Sequence, residues 1–423
     1  MQDIRECFGD TCVYEFIAAT AKGLIMALTF KEPHIIRATY RIVTPMFIGD
    51  AEQKASGISP ASVKGALRFW WRALRWGQIR TEIQSDTAAL QRLHKEEAEL
   101  FGTSADNGKA ARFTLAVTSD AKAATLSAPQ LGIQYLLGQG LYHFNNGYLR
   151  PALAVDATLS VVLHLDPKSV KQTQADYDAQ KEQLTQALLA LGLLGGLGSR
   201  ARKGFGSLSI ESLTNGKDAV AIPKNITELT NILSGWKCSA GLPPFTAFSK
   251  KTRIDAILQG TNSLNALNTV GEQLQLYRSY GRADHTGEHK VAGKIAEQNF
   301  KKDHDLVAKI ISEKNATTIP ERSVFGLPHN YFFSSTKKKA DFSPAAKERT
   351  RRASPLFIHV HQFPDKKVAV IQTLLPATFL PQGDNLEFKV GSSVKVLFNE
   401  KTMINWQVIH TYMDRFAEKV RVL

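Results

Sequence analysis

From residue 35 the chain alternates in character. Ile36, Ala38, Tyr40 and Ile42 fall on one face, and Ile35, Arg37, Thr39, Arg41 and Val43 on the other. A period of two predicts a strand, which Thr44-Pro45 ends. A loop of small and polar residues follows, from Gly49 to Gly57. Ser59-Pro60 then has the form of an N-cap with proline at the first helical position, and predicts a helix over residues 60–76. Residues 111–117 and 157–165 read as strands. A second helix is predicted over 175–194, with Leu184, Leu188, Leu191 and Leu194 on one stripe; it stops at Gly195-Gly196, and strand character resumes over 205–210. The order is β-α-β-β-α-β, the split βαβ or ferredoxin-like arrangement of an α+β fold. Two connections, 77–110 and 118–156, exceed normal loop lengths and are expected to hold inserted hairpins or short helices.

Beyond this module, residues 215–250 turn to Thr, Asn, Gly, Pro and Lys and read as a connection. Helical patterns are predicted over 264–280 and 292–312. Strand-like runs over 355–363 and 368–375 are joined by Pro364-Asp365-Lys366-Lys367 as a hairpin turn, and an amphipathic helix over 405–416 closes the pattern. The chain therefore divides into residues 1–33, to which no order is assigned, a first module at 34–214, the connection at 215–250, and a second, more helical module at 251–423.

Charge changes this picture more than overall composition does. At 43% hydrophobic and 22% charged the protein is ordinary, but 53 Lys and Arg stand against 39 Asp and Glu, a formal charge of +14. So basic a surface favours polyanions, RNA or DNA first. No run reaches the ~20 apolar residues of a membrane span, and Asp3, Glu6 and Asp10 do not fit a signal peptide. Cys7, Cys12 and Cys238 are an odd count without zinc-like spacing, so a reducing cytoplasm is expected, with no disulfide, metal or cofactor.

Three stretches concentrate the cations. On the first helix Lys64, Arg68, Arg72 and Arg75 recur along one stripe beside apolar Val63, Leu67, Trp70 and Leu74, with no acidic residue from Ser59 to Gly77. Unpaired like charges at that spacing suit an overlying anion, and Trp71, between the stripes, either stacks on a base or covers the core. The second stretch runs from Gly195 to Gly206. Gly196, Gly198 and Gly204 allow positive φ and close approach of backbone amides to a phosphate, and Arg200, Arg202 and Lys203 supply charge, with Phe205 as a stacking candidate. It is neither a Walker loop nor a dinucleotide fingerprint, since it closes a helix rather than opening one. The third is Lys337-Lys338-Lys339 with Lys347, Arg349, Arg351 and Arg352, expected to be mobile without a partner and to track a strand. His285 and His289, four apart, are separated by Gly287 in a polar stretch and make a poor metal pair. His359 and His361 read as a surface or core pair on one face of the hairpin.

These segments carry a resemblance. Thr44-Pro45-Met46-Phe47-Ile48-Gly49, then Ser62-Val63-Lys64-Gly65-Ala66-Leu67-Arg68-Phe69-Trp70-Trp71-Arg72-Ala73-Leu74, then the 196–206 loop, resemble the RAMP superfamily of CRISPR proteins, and within it the first Cmr subunit of type III-B effector complexes. Gly326-Leu327-Pro328 and Arg351-Arg352-Ala353-Ser354-Pro355-Leu356 resemble that family's C-terminal segments. The resemblance implies two ferredoxin-like modules and assembly with other Cmr subunits on a guide RNA, near its 3′ end, where target RNA is captured in antiviral defence. It implies a non-catalytic RNA-binding role, since cleavage and nucleotide cyclisation belong to other subunits. The alternative it leaves is a metal-independent RNA-processing endoribonuclease, because some RAMP relatives cut guide precursors.

Overall fold

The computed structural model describes residues 28–423 except 106–107, 314–317, 334–335, 382, 392 and 399–403, together with two short strands, Arg5–Phe8 and Thr11–Tyr14. Side chains are described from Glu32 onward, without those of 392–400; those of Cys7 and Cys12 lie outside the described residues. Arg5–Phe8, Thr11–Tyr14 and Leu28–Lys31 pair as an antiparallel three-stranded sheet.

The alternation at 35–43 becomes β1 (His34–Ile42), followed by α1 (Pro60–Glu82), α2 (Asp86–Phe101), β2 (Phe113–Ser119), α3 (Leu131–Leu137), β3 (Thr158–Leu165), α4 (Gln174–Leu194) and β4 (Leu208–Asn215). The sheet runs β4-β1-β3-β2, antiparallel throughout, with Asp218–Ala219 added beyond β4. Ile36, Ala38, Tyr40 and Ile42 bury the inner face of β1 against α1 and α4, and the Tyr40 hydroxyl donates to the Leu188 carbonyl at 2.9 Å. Ser59 caps α1 by accepting from Ser62 N.

The predicted boundaries move for identifiable reasons. α1 passes through Gly77 instead of stopping near it, because a Cβ there would lie 1.9 Å from the Lys237 carbonyl oxygen, so the glycine serves helix-to-chain packing. The long connection after it is α2. The second one holds α3 and a small hairpin, Tyr142–His143 with Gly147–Tyr148. β4 begins at Leu208, three residues later than predicted, since Gly204 and Gly206 take φ of 86° and 61° and hold the preceding residues in turns. The expected connection contains α5 (Ile226–Ser234), whose Leu229 and Leu233 enter the first core.

A second sheet contains β5 (Arg253–Leu258), followed in sequence by α6 (Ser263–Arg278) and α7 (Lys301–Glu313). β6 (His329–Phe333) and β7 (Lys338–Pro344) come next, then β8 (Leu356–Gln362) and β9 (Val368–Leu374). The last elements are β10 (Leu386–Val390), β11 (Ser393–Phe398), α8 (Gln407–Asp414) and β12 (Lys419–Arg421). β8-β9-β5-β12 form the second antiparallel sheet, the strand order of the first read from the other edge. β6-β7-β10-β11 form a third sheet, whose Phe342 and Phe388 pack with Val307 and Ile310 of α7. The helix predicted over 292–312 starts only at Lys301, because Ala292 and Gly293 turn a hairpin at positive φ. The basic tract expected to be mobile contains β7, hydrogen-bonded on both edges, with Ala340, Phe342 and Pro344 buried between exposed or half-buried neighbours.

The two large sheets share a seam. Phe357, Phe363 and Ile371 join the first core, while Val43, Phe47 and Phe205 join the second. His359 and His361 of β8 are buried there, each 1% exposed. Burial holds His361 down at about 4, below the ordinary 6.5. The folded protein thus keeps this ring neutral between those values while the unfolded chain protonates it, so stability falls as pH drops from 6.5 towards 4. Burial, then His361, lowers His359 as well. His361→Phe should therefore reduce the loss seen in melts between pH 6.5 and 4 by on the order of 3 kcal/mol, and His359 should carry a further acid-side loss in that variant.

Candidate nucleic-acid interface

The α1 stripe is not free. α2 packs alongside and presents Glu96 and Glu97 to it: Arg75 forms a two-pronged pair with Glu96 (2.6 and 2.9 Å), and Arg68 and Arg72 reach Glu97 at 3.3 and 3.5 Å. Arg68 also donates to the Gly102 carbonyl at 2.9 Å. Lys64 lacks a carboxylate partner among the described residues. Its ammonium lies 5.5 Å from the Phe113 ring, and burial, then Arg68, lowers its pKa. Trp71 is a core residue at 1% exposure, donating to Gln183 at 3.0 Å, so it presents no face to a base. The absence of local acids was therefore misleading: compensation comes from a different helix. The stripe also lies towards α2 and the β2 edge of the sheet, whereas the glycine-rich loop leads into β4 at the other side, so the two do not converge.

The loop's glycines are needed for protein packing. A Cβ on Gly196 would meet Gly206 O at 2.6 Å, on Gly198 Phe47 O at 2.6 Å, and on Gly204 a Leu267 methyl at 2.4 Å. Phe205 is buried edge-on to Phe47, with ring centroids 5.5 Å apart, and does not stack on a ligand. The cations divide by reach. Arg202 turns inward across the seam: it donates to Ser354 O at 2.7 Å and lies over Phe69 (5.3 Å) and Phe357 (4.4 Å). Arg200, at φ 63°, donates to Leu137 O at 2.9 Å and keeps an exposed surface. Lys203 leaves part of the residue accessible, yet its ammonium is cut off from solvent and finds no hydrogen-bond partner among the described residues.

The third stretch comes to the same place by a different route. Arg349 is spent on Asp384, at 2.9 and 2.6 Å. Arg352 donates to Phe379 O at 2.7 Å from a largely buried position, while Arg351 is exposed and unpaired among the described residues. Arg351 lies close enough to Arg200 to lower its pKa, after burial, and Arg352 acts likewise on Arg202, which is pushed down to about 10. Arg278, at the end of α6, completes the group. Sequence reading missed it, and no local signal marks it, since only the fold brings α6 to the loop. Among the described residues none of Arg200, Arg202, Lys203, Arg278, Arg351 and Arg352 forms an ion pair.

An unpartnered buried ammonium is costly. Burial first, then Arg278, Arg200 and Arg202, push Lys203 down to about 7. Below that pH both folded and unfolded chains carry the charge, and the fold bears the full penalty; as pH rises from 7 towards the unfolded value of about 10.4 the penalty is relieved. Lys203→Met should thus stabilise the free protein by roughly 1–4 kcal/mol near pH 6, with a gain that shrinks by pH 9, as read by denaturant melts.

The relatives of this chain fit that architecture. Residues 39–209 match the model of the RAMP superfamily. The chain is 25% identical over 184 residues to the CRISPR system Cmr subunit Cmr1-2 of Pyrococcus furiosus, covering 40% of this chain and 92% of that protein. The crystal structure of apo Cmr1 from Pyrococcus furiosus superposes over 92% of this chain and 98% of its own, with a TM-score of 0.51 at 18% identity, a likeness of fold. Over residues 39–209 the chain is thus similar to the RAMP superfamily, and it resembles the Cmr1 proteins of Pyrococcus furiosus.

Proposed function

We propose that this protein is a non-catalytic RNA-binding subunit of a type III-B CRISPR ribonucleoprotein in the cytoplasm, built from two ferredoxin-like modules and assembled with other Cmr subunits. The carrying observation is the uncompensated cationic group at the glycine-rich loop. Six basic residues from three segments meet there without a carboxylate among the described residues, while other arginines, such as Arg75, Arg253 and Arg415, have acids. In this reading Arg200 and Arg351 hold backbone phosphates of single-stranded guide or target RNA, and the partly buried Arg202, Lys203, Arg278 and Arg352 add field from beneath. Such contacts set position; pairing between guide and target supplies sequence. The α1 stripe is left out of this path, since its three arginines are already paired with Glu96 and Glu97 and only Lys64 lacks an acid among the described residues.

Arg200→Ala with Arg351→Ala should weaken binding of single-stranded RNA and lower its salt slope by about 0.7 for each phosphate no longer neutralised. Arg75→Ala, which removes an arginine already paired, should leave the slope unchanged in filter-binding titrations. Equal slopes for the wild type and the double variant would reject the loop as the strand's path. The isolated chain should leave CRISPR repeat RNA intact with or without a chelator; discrete cleavage products would favour the endoribonuclease reading instead.

A further inference from the structure

Next to the glycine-rich loop lies a cavity of about 320 Å³ that the strand-binding reading leaves unused. Its lining includes Ile48, Asp50, Gln53, Arg150, Pro151 and Ser199. Its volume is at the low end for small-molecule sites, roughly 300–1,000 Å³, and suits one nucleotide rather than a peptide segment. Ser199 on its lining is the chain neighbour of Arg200, which sets the cavity beside the strand path proposed above.

The pocket's chemistry is specific. Ile48 and Pro151 give it aliphatic walls. The loop of small and polar residues at 49–57 is folded back on the Asp50 carboxylate, which accepts from Glu52 N (2.9 Å) and Lys54 N (3.0 Å). Those bonds, Lys54 first, hold the Asp50 carboxyl below its ordinary value, so it is an acceptor only. Gln53 sits at the turn with φ 62°. Among the described residues its amide, like the Arg150 guanidinium, makes no side-chain hydrogen bond or ion pair, so both are available. An amide offers a donor and an acceptor side by side, the pattern that matches the N6 and ring-nitrogen edge of adenine. A fixed carboxylate favours an exocyclic amino group and opposes the carbonyl edge of uracil. A guanidinium at the rim suits the nucleotide's phosphate.

We propose that this pocket is a nucleobase subsite that takes one unstacked adenine from the bound strand, with Gln53 and Asp50 reading its edge and Arg150 holding its phosphate. The assignment rests on the strand path through Arg200 and Arg351, and gives a subunit that otherwise grips only backbone one point of base selectivity.

The test compares short oligoadenylate and oligouridylate of equal length on the full chain, with Gln53→Leu, Arg150→Ala and the Arg200→Ala/Arg351→Ala pair. The wild type should prefer oligoadenylate by roughly tenfold, the discrimination expected of one paired base-edge contact. Gln53→Leu, an exposed loop substitution, should remove the preference and leave oligouridylate binding unchanged; Arg150→Ala should weaken oligoadenylate more than oligouridylate. Equal affinities in the wild type, or a preference that survives Gln53→Leu, would overturn the subsite. The arginine pair reports separately: if it lowers affinity for both RNAs while no preference exists, the strand path stands and the pocket falls.

Discussion

The structure depends on how closely the backbone at 195–207 packs into the seam between the two large sheets. The turn touches Phe47 on one side and Leu267 on the other at distances that exclude any side chain. Once it lies there, its neighbours have few options. Phe205 fills the second core, Ser207 and Ser209 hydroxyls accept from the Val360 and Gln362 amides at 3.0 and 2.7 Å, and Arg202 closes over Phe357. The cations of the loop are thus set against a packed interior, where low dielectric strengthens every charge. Close packing and a concentration of cations share one short stretch of chain, with Arg200, Arg202 and Lys203 flanked by glycines on both sides.

Charge in this protein is divided between two regimes. Along α1 and α2 the arginines of the basic stripe share Glu96 and Glu97 in an ion-pair network across two helices, and Lys64 alone of the stripe lacks an acid among the described residues. At the loop they do not, and an unrelieved positive field remains at the place where backbone and aromatic walls limit access by water. Net charge alone does not separate these regimes; only the partner assignments do.

Much of the fold was legible because its signals are local. The alternation of β1, the proline-capped start of α1, the leucine stripe of α4 and the hairpin of β8 and β9 all lie within single windows of sequence. What was misread depends on contacts across the chain. The first helix was expected to end at Trp76, yet it runs to Glu82 with Gly77 as a packing site. The tract at 337–352 looked like a solvated arm, yet contains a strand whose buried Ala340 and Phe342 face α7. The candidate site was legible only in part: the loop and Arg351 were flagged and Trp71 took the core alternative left open for it, but Phe205 is core, Glu96 and Glu97 pair with the stripe's arginines from another helix, and Arg278 enters from α6 with no motif to announce it.

The Arg202 bridge has a mechanical consequence. Its guanidinium is bonded to the carbonyl of Ser354 and sandwiched by rings from α1 and β8, so relative rotation of the two halves would break a buried contact on each side at once. Such a joint resists rotation between the two halves. In the proposed role, such a fastening would leave a change in path or spacing to be absorbed by the bound strand rather than by the protein.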